Sequence, residues 1–305
     1  MSYLWVETFK PQQVNDCILP QSLKSVFLQY VKDREFPNLI LAGPAGVGKT
    51  SVAHALCAEL GVDLLFVNAS LDRGIGEVRD NVATFASTSS LTGDKKVVIL
   101  DEADNLTKDS QKALRALIEE FQNHCRFILT CNYPSDIIDA IHSRCNVIDF
   151  HLRDPKIRKE LSAQFFKRLK TILKDQGVEG DDKQLVNFIL SKAPNWRGIL
   201  NKVQGKVVDG KIENLDTVSV DALANYIVGK DFTKARDWVF ENATLNPTEV
   251  QRELYNALDD KLVGDQKAVA VMVFAEYAKN MATGADPLIT LVALCTTLMS
   301  ECNFK

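Results

Sequence analysis

Eight residues, Gly43-Pro44-Ala45-Gly46-Val47-Gly48-Lys49-Thr50, constrain this chain more than any other segment. Their three glycines let the backbone curl through conformations that a side chain obstructs. A short apolar run, Asn38-Leu39-Ile40-Leu41-Ala42, precedes them, and a helical pattern over 49–60 follows, with Gly61 as its C-cap. Strand, glycine turn and helix in that order fix one βα unit. Four more runs of the same kind come later: Leu64-Leu65-Phe66-Val67-Asn68, Lys96-Val97-Val98-Ile99-Leu100, Arg126-Phe127-Ile128-Leu129-Thr130-Cys131 and Asn146-Val147-Ile148-Asp149. They are short and rich in Val, Ile, Leu and Phe, as strands covered on both faces are. Helical patterns at 74–88, 108–122 and 136–143 separate them, with Asp109 and Ser110 as candidate caps of the second. The alternation predicts an α/β fold with a parallel sheet between helices.

After Asp154-Pro155 the pattern changes. Residues 156–230 read as helices only, broken near Gly177–Asp182, Pro194 and Gly205–Asp216. From Asp231 onward come further amphipathic helices. One opens at Asn246-Pro247, with Asn as cap and Pro in the first turn, and 264–302 is nearly all helical apart from Gly284–Pro287. The expected organisation is an α/β domain over 1–150, a small helical domain over 151–230 and a second helical domain over 231–305. A length of 305 residues suits two or three domains, and 46% hydrophobic with 25% charged residues suits a globular chain. No apolar stretch is long enough to cross a membrane, and the first residues lack the basic start and apolar run of a secretory signal. The seven cysteines include no pair at Cys-x-x-Cys or zinc-knuckle spacing. Buried thiols in a reducing, cytoplasmic setting are the expectation.

The net charge of −4 is unevenly spread. Residues 1–150 hold 14 Lys/Arg against 19 Asp/Glu, 151–230 hold 15 against 10, and 231–305 hold 7 against 11. A nonspecific nucleic-acid coat is basic throughout. Any nucleic-acid contact here must use a few placed cations.

The glycine segment fits G-x-x-x-x-G-K-[ST] in full, in the strand-to-helix context that the pattern requires. Its backbone N–H groups, including those of Gly46, Val47, Gly48, Lys49, Thr50 and Ser51, are placed to cradle phosphates at a helix N-terminus. Lys49 would reach the β- and γ-phosphates of ATP and the Thr50 hydroxyl would ligate Mg²⁺. Val97-Val98-Ile99-Leu100-Asp101-Glu102 supplies the complement, two acids at the C-terminal edge of a buried strand. Asp101 would hold Mg²⁺, in its inner or outer shell, and Glu102 would orient and deprotonate water. Asp101-Glu102-Ala103-Asp104 also spells the signature of DEAD-box helicases. That family needs two tandem motor domains and a Ser-Ala-Thr motif, neither of which this sequence has.

Further segments carry a resemblance. The run from Phe66-Val67-Asn68-Ala69-Ser70 through Leu71-Asp72-Arg73-Gly74-Ile75 to Val78-Arg79 is similar to replication factor C small subunits. So are Leu100-Asp101-Glu102-Ala103-Asp104, Gln111-Lys112-Ala113-Leu114-Arg115, Cys131-Asn132-Tyr133 and Ser143-Arg144-Cys145. Together they resemble the AAA+ sliding-clamp loaders. The short length and Asp16-Cys17-Ile18-Leu19-Pro20 bring the large subunit of T-even-like phage clamp loaders nearest. The similarity is dense over 5–150 and thinner beyond.

The resemblance implies a P-loop AAA+ ATPase domain, a helical lid and a helical collar that holds an oligomer together. It implies that Asn132 senses the γ-phosphate or the attacking water. Arg144 becomes an arginine finger acting on the ATP of a neighbouring subunit. Arg197 becomes a second sensor reaching from the lid, although Gly198 stands where the family often has another Arg. Trp5-Val6-Glu7-Thr8-Phe9-Lys10-Pro11 resembles a segment that folds over adenine, with departures at Thr8, Phe9 and Lys10, so Val6, Glu7, Thr8, Phe9 and Ile18 are expected contacts. Ile75, Gly76 and Arg79 at one helix start, and Lys112 and Arg115 beside Lys108 on one face of the next helix, would track a DNA backbone without reading bases. Gln111 would couple DNA contact to the neighbouring ATP site. Whether Lys112 or Arg115 serves DNA or that ATP stays open.

The implied function is an ATPase subunit of a sliding-clamp loader, active with primer–template DNA and a clamp. Further copies of the chain plus a distinct small subunit would complete a hetero-pentamer, in a host cytoplasm if the source is a phage. Two other readings remain: a scaffold subunit that binds ATP and DNA without turnover, and an AAA+ motor or helicase loader.

Overall fold

Two helices, α1 (Trp5–Thr8) and α2 (Gln21–Asp33), precede a five-stranded sheet in the computed structural model. The model describes residues 3–70, 75–88, 96–213, 215, 220–243 and 245–304. The strands are β1 (Leu39–Ala42), β2 (Leu64–Asn68), β3 (Lys96–Asp101), β4 (Cys125–Cys131) and β5 (Asn146–Asp149). Their order is β2-β3-β4-β1-β5 and every pairing is parallel. Helices α3 (Lys49–Leu60), α4 (Ile75–Ser87), α5 (Lys108–Glu120) and α6 (Asp139–His142) connect them.

The three inner strands are buried almost throughout, because alternate residues feed two separate cores. Ile40, Val98, Leu100, Phe127 and Leu129 face one of these cores. Leu39, Leu41, Val97, Ile99 and Ile128 face the other. The edge strands are half open: Phe66 of β2 is 42% exposed and Val147 of β5 is 48% exposed. Ala42 lies opposite Cys131, and Leu100 lies opposite Leu129. The chain therefore leaves β1, β3 and β4 along one edge, where the three segments expected to carry the chemistry meet.

Two local expectations need correction. The N-cap of α5 is Thr107, whose side chain accepts from the Ser110 N–H, in place of Asp109 or Ser110. The helical pattern at 136–143 divides into a single 3-10 turn, Pro134–Asp136, and the short α6.

Beyond β5 come α7 (Pro155–Asp175), α8 (Asp182–Lys192) and α9 (Trp196–Gln204). This stretch is not purely helical: β6 (Val207–Val208) and β7 (Lys211–Ile212) form a two-residue antiparallel hairpin. Its strands are too short to leave a period in the sequence. Leu161, Phe165, Leu169, Phe188, Trp196 and Ile199 form a core of their own. Trp5 of α1 is buried in that core, and its N–H donates to Gln204 Oε1 at 2.9 Å. The first helix of the chain is thus fastened to α9.

The first compact unit ends at Leu215, and Asp216–Lys305 form a second. The second holds α10 (Asp221–Val228), α11 (Phe232–Glu241), α12 (Pro247–Asp259), α13 (Gln266–Ala282) and α14 (Pro287–Glu301) around one core. α10, placed before the 230 boundary in the sequence analysis, buries Leu223 and Ile227 among these helices. Asn246 and Asp286 cap α12 and α14 ahead of Pro247 and Pro287. Among the described residues no helix is long and apolar enough to cross a membrane.

Candidate active site

The glycine turn between β1 and α3 closes over Lys49. Gly46 and Gly48 take φ of +81° and +101°, a left-handed region that a side chain strains. A Cβ on Gly46 would also lie 2.0 Å from Asn195 Oδ1, at the start of α9. The Lys49 ammonium is buried and donates to the carbonyls of Gly43 at 2.6 Å and Pro44 at 2.9 Å, and to Asn132 Oδ1 at 3.0 Å. Burial pulls its pKa below the usual lysine value, and Asp101 and Asp104 oppose that pull. A buried cation whose hydrogen bonds all go to neutral oxygens can take a phosphate as its charged partner. The turn fits a nucleotide triphosphate.

The acids at the end of β3 sit in a second, adjacent set of hydrogen bonds. The Thr50 hydroxyl donates to Asp101 Oδ1 at 2.5 Å, and the Thr130 hydroxyl donates to the same oxygen at 2.8 Å. Thr130 also accepts from the Glu102 N–H at 3.0 Å, so one threonine of β4 sets both acids. Thr50 and Asp101 stand together as a hydroxyl and a carboxylate, the hard-oxygen donors that suit Mg²⁺. Glu102 has φ of +55°, uncommon for a residue with a side chain. Its carboxylate accepts from the Ser70 hydroxyl and, at 3.4 Å, from Asn105 Nδ2.

Asn132 is held from behind by Asp104. Asp104 Oδ2 accepts from the N–H groups of Asn132 at 2.9 Å and Tyr133 at 3.1 Å. Asp104 Oδ1 is buried with no hydrogen-bond partner among the described residues. Asp104 thereby fixes the turn that aims Asn132 at Lys49.

The cleft is lined by Val6, Glu7, Phe9 and Ile18 on one side and by Val47, Ser51, Trp196 and Arg197 elsewhere. Thr8 does not line it. Its hydroxyl turns back to the Leu4 carbonyl at 3.1 Å, because the single turn of α1 points positions 7 and 8 in different directions. From α7, Arg168 donates to the carbonyls of Phe9 at 2.8 Å and Asp16 at 3.3 Å, so it pins both strands of this wall. The Gly46 carbonyl accepts from Trp196 N–H at 3.0 Å, which seats the start of α9 on the glycine turn. Arg197 is exposed at the cleft, and Trp196 stacks on Phe165 at 5.0 Å.

Gln111, Lys112, Arg115 and Arg144 do not line the cleft. Gln111 is fully buried; its amide donates to the carbonyls of Leu106 and Asp136 and accepts from the Ile138 N–H at 2.8 Å. It staples α5 to the segment leading to Arg144. Lys112 and Arg115 are exposed on α5, with Lys112 paired to Asp109 at 2.9 Å. Ile75, Gly76 and Arg79 fall in the first turns of α4, and their side chains lie outside the described residues, as do residues 71–74. Arg144 is exposed on the segment between α6 and β5 and pairs with Glu119, while its neighbour Cys145 is buried.

Thr130, Asp104, Ser70, Asn105 and Arg168 are site residues that the sequence reading did not single out. Only Asp104 carried a signal, as the last letter of the Asp-Glu-Ala-Asp run.

Comparisons with known proteins agree with this geometry. The model of the ATPase family associated with various cellular activities matches residues 39–152. The replication factor C small subunit of Halobacterium salinarum is 31% identical, over 97% of this chain and 95% of its own. That of Methanothermobacter thermautotrophicus is 31% identical over 97% and 98%, and replication factor C small subunit 1 of Pyrobaculum aerophilum is 34% identical over 96% and 93%. Among solved structures, the RuvB Holliday junction branch migration motor of Thermotoga maritima matches with a TM-score of 0.50 at 17% identity, over 80% of this chain and 85% of that one. That likeness concerns the fold alone. With an interlocked phosphate-loop site and this similarity along nearly its whole length, the chain belongs to the replication factor C small subunit family of AAA+ ATPases.

Proposed function

We propose that this chain is an ATP-hydrolysing subunit of a sliding-clamp loader in DNA replication, coupling ATP turnover to placement of the clamp on primer–template DNA. One observation carries the reading: Lys49, Asn132, Thr50, Asp101 and Glu102 converge on one sheet edge in a chain that aligns end to end with replication factor C small subunits.

Lys49 exchanges its carbonyl partners for β- and γ-phosphate oxygens, and Asn132 orients the attacking water or the γ-phosphate. Thr50 and Asp101 would hold Mg²⁺, which when bound neutralises charge on the phosphates. Glu102 accepts the water's proton once it leaves Ser70 and Asn105. Val6, Glu7, Phe9 and Ile18 enclose the adenine, and Arg197 reaches the phosphates from the lid formed by α7, α8 and α9.

Arg144 completes the site of a neighbouring copy, so hydrolysis depends on assembly. Ile75, Gly76 and Arg79 of α4 hold the DNA backbone together with the exposed Lys112 and Arg115, unless one of these two serves the neighbouring ATP instead. The helices after 231 act as the collar. Several copies with a distinct small subunit form the loader, and the phage-like features of the sequence favour four copies and one partner.

The test is steady-state ATP hydrolysis by the chain alone, with primer–template DNA, and with DNA plus its clamp. Weak activity alone and strong stimulation by the last mixture are expected. Equal rates in all three would remove the reading.

A further inference from the structure

Arg144 is not loose on the surface. Its backbone is set by a bond from its N–H to the Ile141 carbonyl at 3.0 Å and by the burial of Cys145 beside it. Its guanidinium makes three contacts: Nη1 donates to the Ala140 carbonyl at 2.7 Å and to Ser143 Oγ at 2.8 Å, and Nη2 pairs with the Glu119 carboxylate. The first two come from within one residue or one turn of Arg144. Glu119 comes from the last turn of α5, the helix whose other end grips the same segment through Gln111 and through Lys108, which donates to the Asp136 carbonyl at 2.7 Å. One rigid helix therefore holds the 136–144 segment at its start and the Arg144 side chain at its finish.

We propose that Glu119 is the positioning residue of the arginine finger, fixing the Arg144 guanidinium in the pose that meets a phosphate of the neighbouring copy. The inference rests on the reading of Arg144 as that finger. A free Arg side chain samples many rotamers that it must give up on reaching a phosphate. A planar guanidinium held by one carboxylate and two oxygens has already given them up. Among the described residues Nε makes no contact, and it stays available to an incoming oxygen. Misplacement of a group in a phosphoryl-transfer site by about 1 Å costs up to about 10²-fold in rate. Loss of Glu119 leaves the charge of Arg144 in place and loses only its aim. The effect belongs in kcat and not in KM for ATP.

The experiment compares wild type, Glu119→Gln, Arg144→Ala and the double variant in the complete assembly with primer–template DNA, and follows the melting of each isolated chain. Glu119→Gln is expected to lower kcat roughly tenfold. KM and melting temperature stay put, because both side chains are substantially exposed, at 33% for Arg144 and 45% for Glu119. In the Arg144→Ala background the Glu119 change should cost nothing more. If Arg144→Ala slows turnover while Glu119→Gln does not, the positioning role is wrong and the finger stands. If Glu119→Gln speeds turnover, the pair restrains the finger and the proposal is overturned. If Arg144→Ala leaves turnover unchanged, the finger reading itself falls.

Discussion

The two halves of the proposed chemistry are built in opposite ways. Residues that face the chain's own cleft are buried or half-buried and interlocked in two adjacent sets of hydrogen bonds, Lys49 with Asn132 and Asp104, and Thr50 with Asp101 and Thr130. Residues that face outward, Arg144, Lys112 and Arg115, sit exposed; Lys112 pairs with Asp109 of its own helix, and Arg144 pairs with Glu119 at the end of α5. The inward half has a definite geometry before any ligand arrives. The outward half has position and charge but needs something else to act on. If the proposed function holds, a chain built this way should be poor at turnover alone and gain its rate by association.

Four changes would break or sharpen that contrast. The largest effect is expected for Arg144→Ala, with turnover by the complete assembly falling about 10³-fold or more, measured as phosphate release. The melting temperature of the isolated chain should hardly move, since an exposed ion pair contributes little. Glu102→Gln should follow, with kcat down about 10²-fold and nucleotide binding by equilibrium titration retained. Gln111→Leu belongs to the inward class despite its distance from the cleft. It should destabilise the chain by about 1–3 kcal/mol in urea unfolding, because it takes the side-chain partner from the Ile138 N–H and the Leu106 carbonyl in a buried place, while the Asp136 carbonyl keeps Lys108. An unchanged unfolding midpoint would show that α5 does not depend on this staple.

The smallest effect concerns the thiols. All seven cysteines are free and buried, and burial pushes Cys57 and Cys295 up to about 12. Because the thiolate is the reactive form and these pKa values are raised, both stay protonated from pH 7 to pH 9. A thiol reagent at pH 8 should therefore react slowly with the native chain and find all seven sulfurs in denaturant. Fast labelling of the folded chain would mean that its cores open readily.

Much of the inward half was legible in the sequence because its chemistry is local. The glycine turn needs glycines within eight consecutive residues, and Asp101-Glu102 needs only to end an apolar run. Thr130 and Asp104 could not be read in the same way. Thr130 acts on residues 28 and 29 positions earlier, and Asp104 acts on one 28 positions later, separations that no window or period contains. Thr8 came with a whole segment that the resemblance transferred, and the turn of its hydroxyl back to the Leu4 carbonyl is set by one helical turn that a segment match does not carry. The cap of α5 was missed because Thr107, Asp109 and Ser110 are all good caps in one short run, and the hydrogen bond to the Ser110 N–H decides among them. The boundary near 230 was placed between two runs of helical pattern, which look alike on either side of it, but buried Leu223 and Ile227 carry α10 into the second core. The outward residues were legible only by resemblance, since an exposed Arg or Lys has no signature of its own.

The attachment of Trp5 to Gln204 spans 199 residues. At a synthesis rate of roughly 5–20 residues per second, the start of the chain waits about 10–40 s for its anchor to emerge. During that interval the indole has no hydrophobic nest. A newborn chain halted before α9 would display an unattached first helix, open to chaperones and proteases until α9 had emerged.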